Sequence, residues 1–165
     1  MINLEKNSTP EGNYKHMVVL AKAIMEDEKE ISANLSNISA IIMHYIKDIN
    51  WSGFYRMVNG ELVLGPFQGK PACVRIKVGA GVCGTCVAKK ETIVVDNVHE
   101  FDGHIACDSN SNSEIVLPIF KGDEVFGVLD IDSPSLSRFG VAEVNALKEL
   151  AEAISTMVSK PTSRW

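Results

Sequence analysis

Nowhere in the 165 residues is there an apolar run of about 18, the length a helix needs to cross a bilayer. The opening Met1-Ile-Asn-Leu-Glu-Lys6 also lacks the basic stretch and following apolar stretch of a secretory leader. A cytoplasmic protein is the expectation. The 16 lysines and arginines, set against 21 acidic residues for a net charge of -5, are dispersed and form no cationic stripe able to neutralise phosphates. Nucleic acid and membrane are therefore excluded as partners. There is no internal repeat. With only four cysteines in a chain expected to sit in a reducing compartment, a structural disulfide framework is excluded as well.

What is present is an ordinary globular composition, 45% hydrophobic and 22% charged, in a chain long enough to bury one core without covalent staples. The spacing predicts an N-terminal arm over residues 1–12, a domain over 13–160 and a tail over 161–165. Met17, Leu20, Ala21 and Ile24 recur at three and four, the mark of an amphipathic helix starting near Tyr14. Ile31, Leu35, Ile38, Ile42, Tyr45 and Ile49 mark a longer one ending near Asn50. The period then changes to two. Trp51 to Val58, Asn59-Gly60 and Glu61 to Leu64 form a hairpin signature, because Asn-Gly accepts the positive φ of a type I′ turn.

A half-buried strand is expected at Val74, Ile76 and Val78, a short helix over Val82 to Lys89, and a strand over Thr92 to Val95. Residues 97–112 show no period at all, and a loop this long in a compact domain is more often functional than accidental. A second hairpin, Ile115 to Phe120 and Val125 to Ile131, precedes a last helix that Pro161 stops. The sum is an α+β domain, an antiparallel sheet of about six strands with N- and C-terminal helices covering one face.

All four cysteines, and a pair of carboxylates, fall between Lys70 and Ser133. Asp130 and Asp132 are two apart on a strand and so share a face, where burial would demand a cation, hydrogen-bond donors or a raised pKa. An ammonium group would satisfy both. Equally, Asp132 can close an Asx turn before Pro134 and Asp130 take a structural partner. Glu114 opens an apolar strand, where desolvation would suit it to donate a proton, unless the strand end is exposed. Cys107 lies in the aperiodic loop with His104 three residues before it, whereas Asp108 beside it opposes thiolate formation. Cys83-Gly-Thr-Cys86 has redox-pair or half-zinc-site spacing, but no second such pair completes a structural zinc site. Trp51 and Tyr55 share a strand face, able to wall a pocket or fill a core.

Together Asn50-Trp-Ser-Gly-Phe-Tyr55, Leu64-Gly-Pro-Phe-Gln-Gly-Lys-Pro-Ala-Cys73, Gly81-Val-Cys-Gly84, Gly103-His-Ile-Ala-Cys-Asp108, Ser113-Glu-Ile-Val116 and Gly127-Val-Leu-Asp-Ile-Asp-Ser133 resemble the free methionine-R-sulfoxide reductases, a catalytic branch of the GAF fold. The spacing of ten residues from Cys73 to Cys83 and 24 from Cys83 to Cys107 carries most of the likeness. The resemblance implies that Cys107 is the nucleophile, Cys73 and Cys83 recycling thiols and Glu114 the acid. Asp130 and Asp132 would hold the substrate ammonium, with Trp51 and Tyr55 beside the methyl sulfoxide. It further implies free methionine-(R)-sulfoxide as substrate, thioredoxin as reductant, a homodimer, and neither metal nor organic cofactor. Cys86 stands where the family has a small residue, and Asp102 where it has proline. The competing reading is a GAF module that binds a small ligand or senses redox state without turnover.

Overall fold

Two long strands with strict alternation decide the architecture: β5 (Ser113–Lys121) and β6 (Glu124–Ser133). The computed structural model describes residues 4–105 and 107–165. Residues 1–3, the start of the expected arm, and Ala106, in the Cys107 loop, lie outside the described residues. Along β5, Ile115, Leu117 and Ile119 turn to one side, and along β6 Leu129 and Ile131 join them, all five buried. Glu114, Val116, Val128, Asp130 and Asp132 turn to the other side. Pairing of β6 with β1 (Trp51–Val58), and of β1 with β2 (Glu61–Gln68), continues both faces. With β3 (Arg75–Lys77) and β4 (Ile93–Val95) at the edges, the sheet is antiparallel throughout, in the order β3-β2-β1-β6-β5-β4.

Helices α1 (Pro10–Asp27), α2 (Ile31–Tyr45) and α4 (Val141–Ser159) cover the first face. Their apolar stripes, among them Met17, Ile38, Ile42, Leu147 and Ile154, form one core with Phe54, Leu129 and Ile131. The second face carries only α3 (Gly81–Lys89) and connecting segments, around a smaller cluster that includes Trp51, Tyr55, Val116 and Val128. One face of the sheet is thus packed with helix, and the other is left free for a site.

The α+β reading and the single antiparallel sheet hold. The Asn59-Gly60 turn is as expected, with φ of 51° and 84°. Strand β2 runs on to Gln68 instead of ending at Leu64, because a bulge between Gly53 and Tyr55 lets Gly65 and Pro66 continue in the strand. Three further boundaries differ for physical reasons. Helix α1 starts at Pro10 rather than Tyr14, because proline suits the first turn, where its missing N–H has no partner to lose, and Thr9 caps the Gly12 amide at 3.1 Å. Helix α2 ends at Tyr45, five residues before the expected Asn50. Ile46 remains buried although the chain has left the helix, so the apolar series runs on past it. In the third case, β3 is only three residues long, and of Val74, Ile76 and Val78 only Ile76 is buried.

The C-terminal residues dock on the helical side. The Arg164 carbonyl accepts from the Ile31 amide at 2.6 Å, and the Trp165 ring lies under the Arg56 guanidinium, 4.1 Å from ring centroid to Cζ. On the opposite side, α3 is seated by a close backbone approach. A Cβ at Gly84 would collide with the Lys77 carbonyl oxygen and stand 3.0 Å from the Gly79 nitrogen. Gly84→Ala is therefore expected to push α3 off the sheet and destabilise by about 1–3 kcal/mol, as overpacking does, with a Tm loss of about 2–4 °C per kcal/mol. Thermal unfolding followed by circular dichroism checks it.

Candidate functional site

Cross-strand register brings three carboxyls together. Asp132 is directly opposite Glu114 on one side and Trp51 on the other, and Asp130 is opposite Gly53 and Val116. Like charges facing each other across a ladder are unfavourable, and burial multiplies the cost. Glu114 and Asp130 are buried, while Asp132 is partly exposed. Burial pushes all three pKa values up; Asp132 adds to the effect at Glu114, Glu114 at Asp130, and Asp130 at Asp132. Asp130 is within hydrogen-bonding reach of Glu114 and of the Cys83 thiol, yet its Oδ1 has no hydrogen-bond partner among the described residues. The expected shared face for the two aspartates is therefore present and is shared with Glu114. Of the two readings of that glutamate, the exposed strand end fails.

Trp51 and Tyr55 wall the site from β1, their rings stacked at 6.0 Å and 26°. Each is pinned by its polar tip. The Trp51 Nε1–H donates to the Lys70 carbonyl at 3.1 Å and the Tyr55 hydroxyl to the Cys73 carbonyl at 3.0 Å. These two bonds fix the segment from Lys70 to Cys73 against the sheet. Phe67 stacks on the other side of Trp51 at 5.4 Å.

The roof is the aperiodic loop, which includes a 3-10 turn at Val98–Glu100. His104 hangs from it with Nε2 3.6 Å from Glu114 Oε2, and burial lowers its pKa. Both shifts disfavour the charged forms, so burial works against an ion pair at that contact. Asp108 sits differently from its sequence reading. Its carboxylate accepts from the Asn110 amide at 3.0 Å and from Asn50 Nδ2 at 3.2 Å, and lies 3.4 Å from Lys70 Nζ, which together lower its pKa. A charge so engaged anchors the loop and is largely spent. Asn50 and Lys70 are 58 and 38 positions from Asp108, so no local signal could have named them.

The four thiols divide in two. Cys73 and Cys107 form a disulfide, with Cα atoms 5.8 Å apart and 34 residues between them in sequence. Cys107 is exposed and faces the pocket, and Cys73 is half-buried. Cys83 and Cys86 are free and buried on α3. Burial, helped by Asp130 and Glu114, pushes the Cys83 thiol up, and burial pushes Cys86 to about 12. Cys86 Sγ points to the Val116 carbonyl at 3.8 Å, as a packed core thiol does. Cys83, which the resemblance makes a recycling thiol together with Cys73, lies in the pocket floor next to two carboxyls.

Comparison with known proteins gives a consistent answer. The model of the GAF domain family matches residues 32–159. Free methionine-R-sulfoxide reductase of Escherichia coli K12 is 49% identical over 137 residues, 83% of each chain. The solved structure of fRMsr of Staphylococcus aureus in its reduced form is similar at a TM-score of 0.86 and 49% identity, over 88% of this chain and 95% of that one. Free methionine-R-sulfoxide reductase of Neisseria meningitidis, in complex with its substrate, is similar at 0.91 and 39% identity, over 95% of both chains.

Two outcomes follow from this arrangement. The disulfide closes a 34-residue separation, so reducing it is expected to destabilise by about 2–4 kcal/mol through the unfolded chain. Melting with and without dithiothreitol reads this, and the difference should vanish in Cys73→Ser. Because carboxyl pKa values raised by folding mean that the folded state binds more protons, stability falls as pH rises above the ordinary carboxylate range. Asp132→Asn is expected to raise Tm at neutral pH by a few degrees and to flatten that dependence, measured by melts between pH 4 and pH 8.

Proposed function

Since the chain belongs to the free methionine-R-sulfoxide reductase family of GAF domains, we propose that it reduces free L-methionine-(R)-sulfoxide to L-methionine with a cysteine nucleophile. One observation carries the reading. The Cys73–Cys107 bridge stands at the mouth of a pocket whose floor holds three carboxyls with raised pKa values.

Burial separates the thiols by role. A thiolate must be solvated or paired, and of the four sulfurs only those of Cys73 and Cys107 lie outside the buried set. Cys107 lines the pocket and Cys73 does not. In the reduced enzyme, the Cys107 thiolate attacks the sulfoxide sulfur while Glu114, protonated because it is buried, gives its proton to the sulfoxide oxygen. The S–O bond to methionine and the new bond between the two sulfurs then break as the protonated oxygen passes to the Cys107 sulfur, leaving a sulfenic acid there, and methionine departs with its sulfur reduced by two electrons. The Cys73 thiol then displaces water from that sulfur and forms the disulfide. Thioredoxin, a dithiol, exchanges with the bridge and restores both thiols.

The remaining carboxyls account for the choice of a free amino acid. An arriving α-ammonium lets Asp130 and Asp132 ionise, because it replaces their mutual repulsion with charge-assisted hydrogen bonds worth about 1.5–3 kcal/mol each. A methionine sulfoxide inside a peptide has no ammonium there and would leave both acids unpaired. Trp51 and Tyr55 would hold the methyl end against their stacked rings. Cys83 and Cys86 take no part in this cycle.

The test is methionine formation from the separated R and S epimers with a thioredoxin system. Turnover of the R epimer alone, absent in Cys107→Ser, is expected. Glu114→Gln should retain the fold and lose about 10²–10⁴ in kcat/KM, the usual worth of a positioned acid. Turnover that survives in Cys107→Ser would move the nucleophile. No turnover of either epimer by folded, reduced protein would leave the non-catalytic GAF module as the better account.

A further inference from the structure

One thiol has no part in the cycle and yet faces the pocket. Cys83 Sγ, a Glu114 carboxylate oxygen and an Asp130 carboxylate oxygen all lie within 4.8 Å of one another. They come from α3, β5 and β6, three elements fixed by the core, and their exposures are 4%, 6% and 7%. A separate observation also points to a ligand. Asp130 Oδ1 is fully buried with no hydrogen-bond partner, in a residue that lines the pocket. An acceptor left in that state is normally satisfied by something, or costs about 1–3 kcal/mol. An ammonium would reach the oxygens but makes no use of the sulfur.

We propose that Cys83, Glu114 and Asp130 form a binding site for a thiophilic divalent cation, zinc above all, and that a cation held there closes the pocket to substrate. One thiolate and two carboxylates suit zinc, whereas magnesium and calcium favour sites built of oxygen alone. Three protein ligands leave a fourth position for water, which is the form of an open rather than a structural zinc site. The trio is invisible in the sequence, because its members are 31 and 16 residues apart and only folding brings them together. Binding displaces protons from the thiol and the carboxyls, and the cation takes the negative charge that a substrate ammonium would need. Zinc and substrate are then mutually exclusive, and free zinc acts as a reversible inhibitor. The inhibition rests on the reductase reading; the binding does not.

The disulfide form makes a clean test, because it locks Cys73 and Cys107 away and leaves Cys83 and Cys86 as the available thiols. Full-length oxidised protein is titrated with cobalt(II), whose bond to a thiolate absorbs in the near ultraviolet. One cobalt per chain with that absorption, displaced by zinc, is expected. Cys83→Ser should abolish the band, Cys86→Ser should keep it, and Asp130→Asn should weaken binding by roughly tenfold or more. Free methionine sulfoxide should raise the apparent Kd for cobalt. Absence of the band in oxidised wild-type protein, or a band that follows Cys86, overturns the site; indifference to methionine sulfoxide overturns the exclusion. A protein that binds cobalt but reduces neither epimer would sink the reductase reading alone.

Discussion

Three carboxyls on one buried patch of sheet is the constraint around which the molecule is arranged. Each of Glu114, Asp130 and Asp132 is made harder to ionise by one of the other two, and none has a cationic protein side chain to offset it among the described residues. Such a patch is tolerable only on a scaffold made secure elsewhere. The helical side supplies that, with Leu129, Ile131, Ile115 and Leu117 fully buried on the reverse of the same two strands. Stability and site are thus the two faces of β5 and β6.

Burial also sorts the sulfur chemistry. The two cysteines on connecting segments are paired, and of the two buried ones on α3 Cys83 borders the pocket while Cys86 is packed in the core. A dry thiol resists ionisation and oxidation alike, so Cys86 can sit three residues from Cys83 without interfering with the redox pair. The loop thiols are held in position by groups that do no chemistry. Tyr55 fixes the Cys73 carbonyl, and Lys70 and Asn50 fix Asp108 next to Cys107.

Much of this was legible because it depends on period and local geometry. Alternation in Val-Leu-Asp-Ile-Asp gave the shared face of Asp130 and Asp132, and Asn59-Gly60 gave the first hairpin. What resisted reading depends on contacts distant in sequence. Whether Glu114 was buried or exposed turned on α3 and the roof loop covering it, and whether Asp108 opposed a thiolate turned on Lys70 and Asn50. The pairing of Cys73 with Cys107 rather than Cys83 has the same origin, since thiol spacing says nothing of which segment lies above the sheet and which below the pocket. Pro10 was misread for a simpler reason: the same ring that breaks a helix interior fits its first turn.

The two tryptophans stand on opposite faces of the sheet. Trp51 is 3% exposed and sandwiched between Phe67 and Tyr55 at the pocket wall, whereas Trp165 is 45% exposed on the helical side, beneath Arg56 and against Phe126. Their emission is accordingly separable by quenching, since a soluble quencher reaches Trp165 far more readily than Trp51. The protein carries two native optical labels, one that senses what occupies the pocket and one that senses whether the chain's last residues remain docked.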